Sequence, residues 1–323
     1  MRQWLVYNDL RYDLGEIDYL GVSKDNLHNI KDVHLPEDYD GWFPFMSMCY
    51  TLGDLGIRSS IFEALKQKYP RIKIALPTKE YITDFFPPQE LNIYGYGENA
   101  AIDNIDKIWG NNPHIDYYFN KGEFDRIFTD HDRCYTSLIH DGDMIRSCDE
   151  PLAEQILRRW GFTDEDFKKI NTQPKLYFTQ EEINKNEEVI KKYVGSSTYG
   201  CLLFASRIPE YQGRWDYDSF LIKETEEYHN NPVFYYSDFD INQTEWGKCF
   251  PNSFNFKNLN LSIRDQLYIK YRANFNISYQ AGITDSVCGG GTTSIVLCPY
   301  NSIRECCIRG VKYVYKDGTT KQF

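Results

Sequence analysis

The chain has 323 residues, 41% apolar and 16% aromatic, enough for two domains of about 150 residues each and incompatible with a disordered or low-complexity protein. Forty-seven acidic against 36 basic residues give a net charge of −11, which repels nucleic acid and anionic membrane and argues against a nucleic-acid partner. Nine cysteines are an odd number, scattered and without a CxxC pair, so neither a disulfide framework nor a zinc knuckle is expected and a reducing compartment is.

Met1 to Asp9 hold no apolar run of signal-peptide length, and no stretch approaches a membrane span, which points to a cytoplasmic protein with at most peripheral membrane contact. Residues 1 to 42 are polar and acidic, and an irregular extension or a short hairpin is expected. Phe43–Tyr50 reads as a strand, Thr51–Gly56 as a tight loop, and Ile57–Tyr69 as a helix with Ile57, Ile61, Ala64 and Leu65 at helical spacing. Pro70 stops it before the strand Ile72–Leu76, completing a βαβ unit with a parallel sheet.

Residues 84 to 122, rich in Pro, Gly, Asn and Tyr, are expected as long loops around a strand near Leu91–Tyr94, with another strand at Phe124–Phe128. Pro151–Trp160 spaces Leu152, Ala153, Ile156, Leu157 and Trp160 as one helix face, capped by Gly161. The charged segment Thr163–Lys192 is expected to form solvated helix faces linking two halves, with the boundary near residue 180. The second half restarts the alternation: strand Gly200–Ala205, loop Ser206–Trp215, a helix near Tyr217–Tyr228, strand Val233–Tyr236 and helix Ile263–Tyr271.

The most informative stretch follows. Asn276–Asp285 runs on through Cys288-Gly289-Gly290-Gly291-Thr292-Thr293 into Ser294–Cys298, reading as buried strand, small-residue turn, helix start and second apolar strand. Consecutive glycines bring backbone N–H groups within reach of an anion, and Thr284, Ser286, Thr292 and Thr293 add uncharged donors, so a phosphate pocket is expected here. The alternative is a connection that only turns the chain.

In this order the residues resemble the heptosyltransferase-like glycosyltransferases, glycosyltransferase family 9. The landmarks are Leu52-Gly53-Asp54-Leu55-Gly56 before a helix, then Leu65–Ile74 like that family's "LKxxYPxxxI", Asn112-Pro113-His114-Ile115-Asp116 like "NPxID", and Leu259–Leu267 leading into Ser278–Gly282. The match spans residues 43 to 300. It implies a GT-B architecture, an α/β fold of two Rossmann-like doubly wound domains facing across a cleft, with an acceptor-side domain over 1–180 and a donor-binding domain over 181–323. It also implies an inverting, metal-independent transfer from a nucleotide-diphosphate sugar to a glycan, lipid-linked or other hydroxyl acceptor, as in polysaccharide biosynthesis, with no cofactor beyond that substrate.

In that resemblance Asp54 holds the position of the general base, which takes the acceptor's proton as its oxygen attacks the anomeric carbon; the competing role is capping the Ile57 helix. Gly213-Arg214-Trp215 resembles a "KxW" element with glycine at the lysine position, and Arg214 or Arg207 is expected on the donor phosphates; the alternative for each is a surface arginine. Where the family shows "SxDxGxxH", Gln280 replaces the acid and Asp285 the histidine, while Gly282 and Gly291 keep a backbone cradle. The expected donor-binding set is therefore Arg207, Arg214, Gln280, Gly282, Thr284, Asp285, Gly289, Gly290, Gly291 and Thr292.

Asp141-Gly142-Asp143 and Asp238-Phe239-Asp240 look like metal-holding DxD elements, but two-residue matches arise easily in an acidic chain, and no metal is expected. His131 and His140 are expected as surface residues and Cys306-Cys307 on a late helix. No Ser-His-Asp elbow or Walker loop is present. Alternative functions are a nucleotide-sugar epimerase or hydrolase, or a non-catalytic sugar or nucleotide binder, since Gln280 removes one expected acid.

Overall fold

A computed structural model of the chain describes residues 2–7, 10–16, 37–47, 52–80, 98–120, 137–139, 150–158, 160–203, 222–223, 225–237, 240–279, 292–298, 307–315 and 318–323. The chain divides into two compact units, Met1–Thr172 and Gln173–Phe323. Residue 180, near which the boundary was expected, opens the first helix of the second unit. At the start of the chain, β1 (Arg2–Tyr7) and β2 (Leu10–Glu16) pair antiparallel as a hairpin.

In the first unit β3 (Trp42–Ser47), β4 (Lys73–Pro77), β5 (Tyr117–Phe119) and β6 (Ser137–Ile139) form a parallel sheet in the order β5-β4-β3-β6. The expected βαβ unit is present, but its helix comes in two pieces, α1 (Leu52–Arg58) and α2 (Ile61–Lys68), so Leu52–Gly56 is helical rather than a loop. The break falls at Ser59, whose N–H and hydroxyl both donate to the Gly56 carbonyl, at 3.0 and 2.6 Å. A hydroxyl competing for a backbone acceptor ends a helix in this way.

The stretch expected as long loops also contains a helix, α3 (Glu98–Trp109). Ile105, Ile108 and Trp109, at i, i+3 and i+4, are its buried face. The strands expected near Leu91–Tyr94 and Phe124–Phe128 lie outside the described residues. Phe43 and Phe45, two apart on β3 and so on one face, meet Trp160 at 4.5 Å, and Phe62 and Trp109 at 5.3 and 5.9 Å, all edge-on. The Trp109 indole N–H donates to the Leu55 carbonyl at 2.9 Å, satisfying the one polar atom of a fully buried ring. α4 (Leu152–Arg158) buries the face its spacing predicts, Gly161 follows it at φ 81°, a left-handed conformation suited to glycine, and the short α5 (Asp164–Phe167) comes next.

Two landmarks of the family resemblance meet here. The Asp116 carboxylate accepts from the Ile74 N–H at 2.7 Å and from Lys66 Nζ at 2.6 Å, while the Asp116 N–H donates to the Ile74 carbonyl at 2.9 Å. Asn112 turns the chain toward it, its Oδ1 accepting from the His114 N–H at 3.0 Å. Lys66 and Asp116 therefore lock the start of β5 against β4.

The second unit holds β7 (Gly200–Leu203), β8 (Val233–Tyr236), β9 (Ser253–Asn255), β10 (Phe275–Tyr279), β11 (Thr293–Cys298), β12 (Val311–Tyr315) and β13 (Thr320–Gln322), in the order β13-β12-β11-β10-β7-β8-β9. Only β13 is antiparallel to its neighbour. The inner strands are largely apolar because both faces are covered, whereas the edge strands β9 and β13 are polar and partly exposed. Leu202, Ile277, Ile295 and Leu297 pack with Trp246 and Phe250 on one side; Cys201 and Phe234 face α6 (Gln180–Val194) and α7 (Ile263–Arg272) on the other. Gly200 is a close approach: a Cβ there would run into the Phe275 ring, which stacks on Tyr228 at 4.4 Å.

The charged stretch forms the solvated helix face expected of it, with Glu181, Glu188, Lys191 and Lys192 exposed, and three further charges also join α6 to α7. Glu182 pairs with Arg264 at 2.7 Å, Lys185 with Asp265 at 2.7 Å, and Glu187 with Arg272 at 3.1 Å. Asp265 also closes a capping box with Ser262 at the start of α7. Cys307, expected on a late helix, is buried in non-helical chain before β12, and Cys306 lies outside the described residues. Of the helix expected near Tyr217–Tyr228, the described residues show Ile222 and Lys223 in helical conformation and a 3-10 turn over Glu226–Tyr228.

Candidate functional site

In the second unit, β7, β8 and β9 step to one side of the sheet, and β10, β11 and β12 to the other. The order reverses between β7 and β10, which lie side by side and parallel with Leu203 opposite Ser278. Connections leaving two such strands part toward opposite faces and open a crevice at the carboxyl ends, where doubly wound sheets take their ligands. The packing follows this division: Tyr228, Ile241 and Trp246, from the connections joining β7, β8 and β9, cover the Ile277 face, and α7, which leads into β10, covers the Cys201 face.

From Leu203 the chain continues toward Arg207 and Arg214. From Tyr279 it continues through Gln280, Gly282, Thr284, Asp285, Gly289, Gly290 and Gly291. These residues lie outside the described ones. Thr292, the remaining member of the expected donor set, is described: it precedes β11 at the amino end of the sheet, away from the carboxyl-end crevice, where its hydroxyl accepts from Asn276 Nδ2 at 3.1 Å and lies 3.4 Å from Ser294 Oγ.

Sequence reasoning assigned no role to the inward polar side chains of β10. Asn276 and Ser278 are fully buried, on the face toward α7, and Asn276 Oδ1 and Ser278 Oγ find no hydrogen-bond partner among the described residues. The available signal was alternation: two polar residues two apart in an otherwise apolar strand. Cys201, opposite Asn276, is no nucleophile, because burial pushes its thiol up to about 12 against the opposing pull of the Lys270 ammonium.

At the carboxyl end of β8, Asp240 of the second DxD candidate serves the backbone, its Oδ1 accepting from the Asn242 N–H at 3.0 Å. Burial and the nearby Asp240 charge raise the Tyr235 phenol, keeping it a neutral donor. Asp238, Asp141, Asp143, His131 and His140 lie outside the described residues, among which no cluster of His, Cys, Asp and Glu is arranged to hold a metal.

The first unit has its own reversal, between β3 and β6, where Phe45 to Ser47 run parallel to Ser137 to Ile139. β3 leads into α1, and Asp54 is the third residue of that helix. Its expected alternative role, capping a helix that begins at Ile57, is thereby corrected: the helix already begins at Leu52, and Asp54 stands in its first turn, at the positive end of the helix dipole. The Asp54 side chain lies outside the described residues.

No protein-family model matches the chain and no curated protein matches its sequence. Solved structures do match. The glycosyl transferase family 9 structure from Veillonella parvula matches with a TM-score of 0.55 at 12% identity, over 88% of each chain. This chain has the fold of a family 9 glycosyl transferase. The E. coli ADP-heptose lps heptosyltransferase II matches with a TM-score of 0.50 at 10% identity, over 87% of this chain and 93% of its own. The Lys66–Asp116 lock and the Ser262–Asp265 cap lie on the landmarks that resemble family 9, and both fix backbone geometry in this fold. Among the described residues of this family 9 fold, no helix is long and apolar enough to cross a membrane.

Proposed function

We propose that the chain is a glycosyltransferase of GT-B architecture, moving a sugar from a nucleotide-diphosphate sugar to a hydroxyl of a glycan or lipid-linked acceptor, with inversion and without a metal. One observation carries this reading: the reversal of strand order between β7 and β10 falls where the chain enters both the arginine-bearing segment and the glycine-rich one. A doubly wound sheet collects phosphate ligands at that place. The fold shared with an E. coli ADP-heptose lps heptosyltransferase supports a nucleotide-sugar donor.

In this mechanism the donor diphosphate lies beyond the carboxyl ends of β7 and β10, against the segment that carries Gln280, Gly282 and Thr284, with Arg214 or Arg207 neutralising its charge. Gln280, Gly282 and Asp285 border the donor, with Asp285 toward the sugar hydroxyls and away from the phosphates. Asp54 removes the acceptor's proton as the acceptor oxygen bonds to the anomeric carbon. The bond from that carbon to the diphosphate oxygen breaks, and the electron pair leaves on the nucleoside diphosphate, where the arginine and the backbone donors stabilise it.

A thermal-shift screen against nucleoside diphosphates and their sugar conjugates tests the donor site, since a ligand at 100 times its dissociation constant stabilises a fold by about 2.7 kcal/mol. Asp54→Asn is expected to lower turnover by about 100-fold or more while donor binding persists. Binding without turnover in the unaltered protein would identify a non-catalytic binder, the reading that Gln280 in place of an acid favours. No shift with any nucleotide would remove the donor site.

A further inference from the structure

The connection from α5 to α6 carries no strand or helix, yet each of its halves is bonded to its own unit. Ser60, at the start of α2, donates its hydroxyl to the Thr172 carbonyl at 2.9 Å, and the buried Thr172 hydroxyl donates to the Glu154 carboxylate of α4 at 2.7 Å. Thr172 is the last residue of the first unit and Gln173 the first of the second, so the chain passes between the units once, at this peptide bond. On the far side, Gln173 Nε2 donates to the Arg309 carbonyl ahead of β12 at 3.1 Å. The Tyr177 carbonyl then accepts from Arg264 of α7, whose guanidinium lies 4.2 Å from the centre of the Phe178 ring.

We propose that the N–Cα bond of Gln173 is a pivot on which the two units reorient. Because the Thr172 carbonyl is held by Ser60, the planar peptide that follows it, Gln173 N included, moves with the first unit. The Gln173 side chain, held on Arg309, makes its Cα and Cβ move with the second. The next backbone bond, Cα–C, is narrowed by Pro174, whose ring excludes the helical region for the residue before it. One torsion is left between the two clamps. Gly310 belongs to the second clamp: it has φ 80°, and a Cβ there would stand 2.4 Å from Gln173 Nε2, so a side chain would push the amide off the neighbouring carbonyl. The connection is a joint with one axis, where a charged stretch between domains suggests a flexible linker. This role is independent of the donor site.

The test uses the full chain with one spin label at Gln67 of α2 and one at Lys191 of α6, both exposed, attached through genetically encoded amino acids so that the nine cysteines stay in place. Electron–electron double resonance then reads the distribution of distances between the units, which is expected to be narrow in the otherwise unaltered chain. Gln173→Gly removes both the side-chain clamp and the Cβ that restricts the pivot, and should widen the distribution by about 5 Å, the span of one freely jointed residue. Gln173→Ala loses the clamp but keeps the Cβ and should widen it less. Ser60→Ala, which releases the Thr172 carbonyl, should widen it from the other side. A starting distribution already as wide as that of Gln173→Gly, or one that no variant widens, would overturn the pivot. Should Ser60→Ala fail to fold, the two variants at the half-buried position 173 carry the comparison alone.

Discussion

The first unit packs its helices through rings: Phe43, Phe45, Phe62, Trp109 and Trp160 meet edge-on in the core, and the Trp109 N–H is taken by a backbone carbonyl. In the second unit, α6 and α7 share the cover of one sheet face and are joined along their length by Glu182–Arg264, Lys185–Asp265 and Glu187–Arg272. Ring contacts hold at any pH, whereas ion pairs hold only while the carboxylates are charged. The two units should therefore fail for different reasons.

Removing a ring should have the largest effect. Trp109→Ala takes out the most voluminous fully buried side chain among the described residues and leaves a cavity beside Phe45 and Phe62, expected to cost about 3–5 kcal/mol in a denaturant titration. Cutting the ionic join should cost less. Asp265→Ala removes an acceptor shared by Lys185, Asn186 and Ser262, and about 2 kcal/mol is expected, read by the same titration.

Acid should separate the units with the smallest effect per group. Burial pushes the carboxyls of Asp265, Glu182 and Glu187 up, but hydrogen bonds outweigh it: Lys185, Ser262 and Asn186 hold Asp265 below the ordinary range, Arg264 and Thr179 hold Glu182, and Tyr268 and Arg272 hold Glu187. A carboxyl depressed in the folded state contributes stability above its unfolded value and loses it as pH falls through the folded one. Unfolding of the α6–α7 region, followed by hydrogen exchange, should therefore ease below about pH 4 while Trp109 stays protected. Equal sensitivity in both units would remove the distinction. Asp164, which Arg158 holds below its ordinary value, and Asp166, which Lys68 and Thr163 hold down against the opposing effect of burial, make small acid-sensitive exceptions in the first unit.

The legible parts of the chain were those where one physical signal dominates. Strands β7, β8, β10 and β11 are apolar runs because a parallel sheet is covered twice, and α7 announces itself through Ser262 and Asp265 three residues apart. α3 was hidden by a glycine- and asparagine-rich surrounding, although Ile105, Ile108 and Trp109 have helical spacing. The start of α1 was hidden by Gly53 and Gly56, which read as loop but are buried within the helix. Serine at 59 gave no warning that its hydroxyl would take the Gly56 carbonyl. The glycine-rich stretch was recognisable because an apolar strand precedes it and another follows. Asn276 was not singled out, because its two partners, Lys270 and Thr292, are brought together only by the crossover from β10 to β11.

The contact between Gly200 and Phe275 has an evolutionary consequence. Position 200 admits no side chain while an aromatic ring fills position 275 and stacks on Tyr228. A lineage that acquires alanine at 200 must first, or simultaneously, shrink the residue at 275. Among descendants of this chain the two positions should therefore change together, with glycine opposite a ring and a larger residue only opposite a small one.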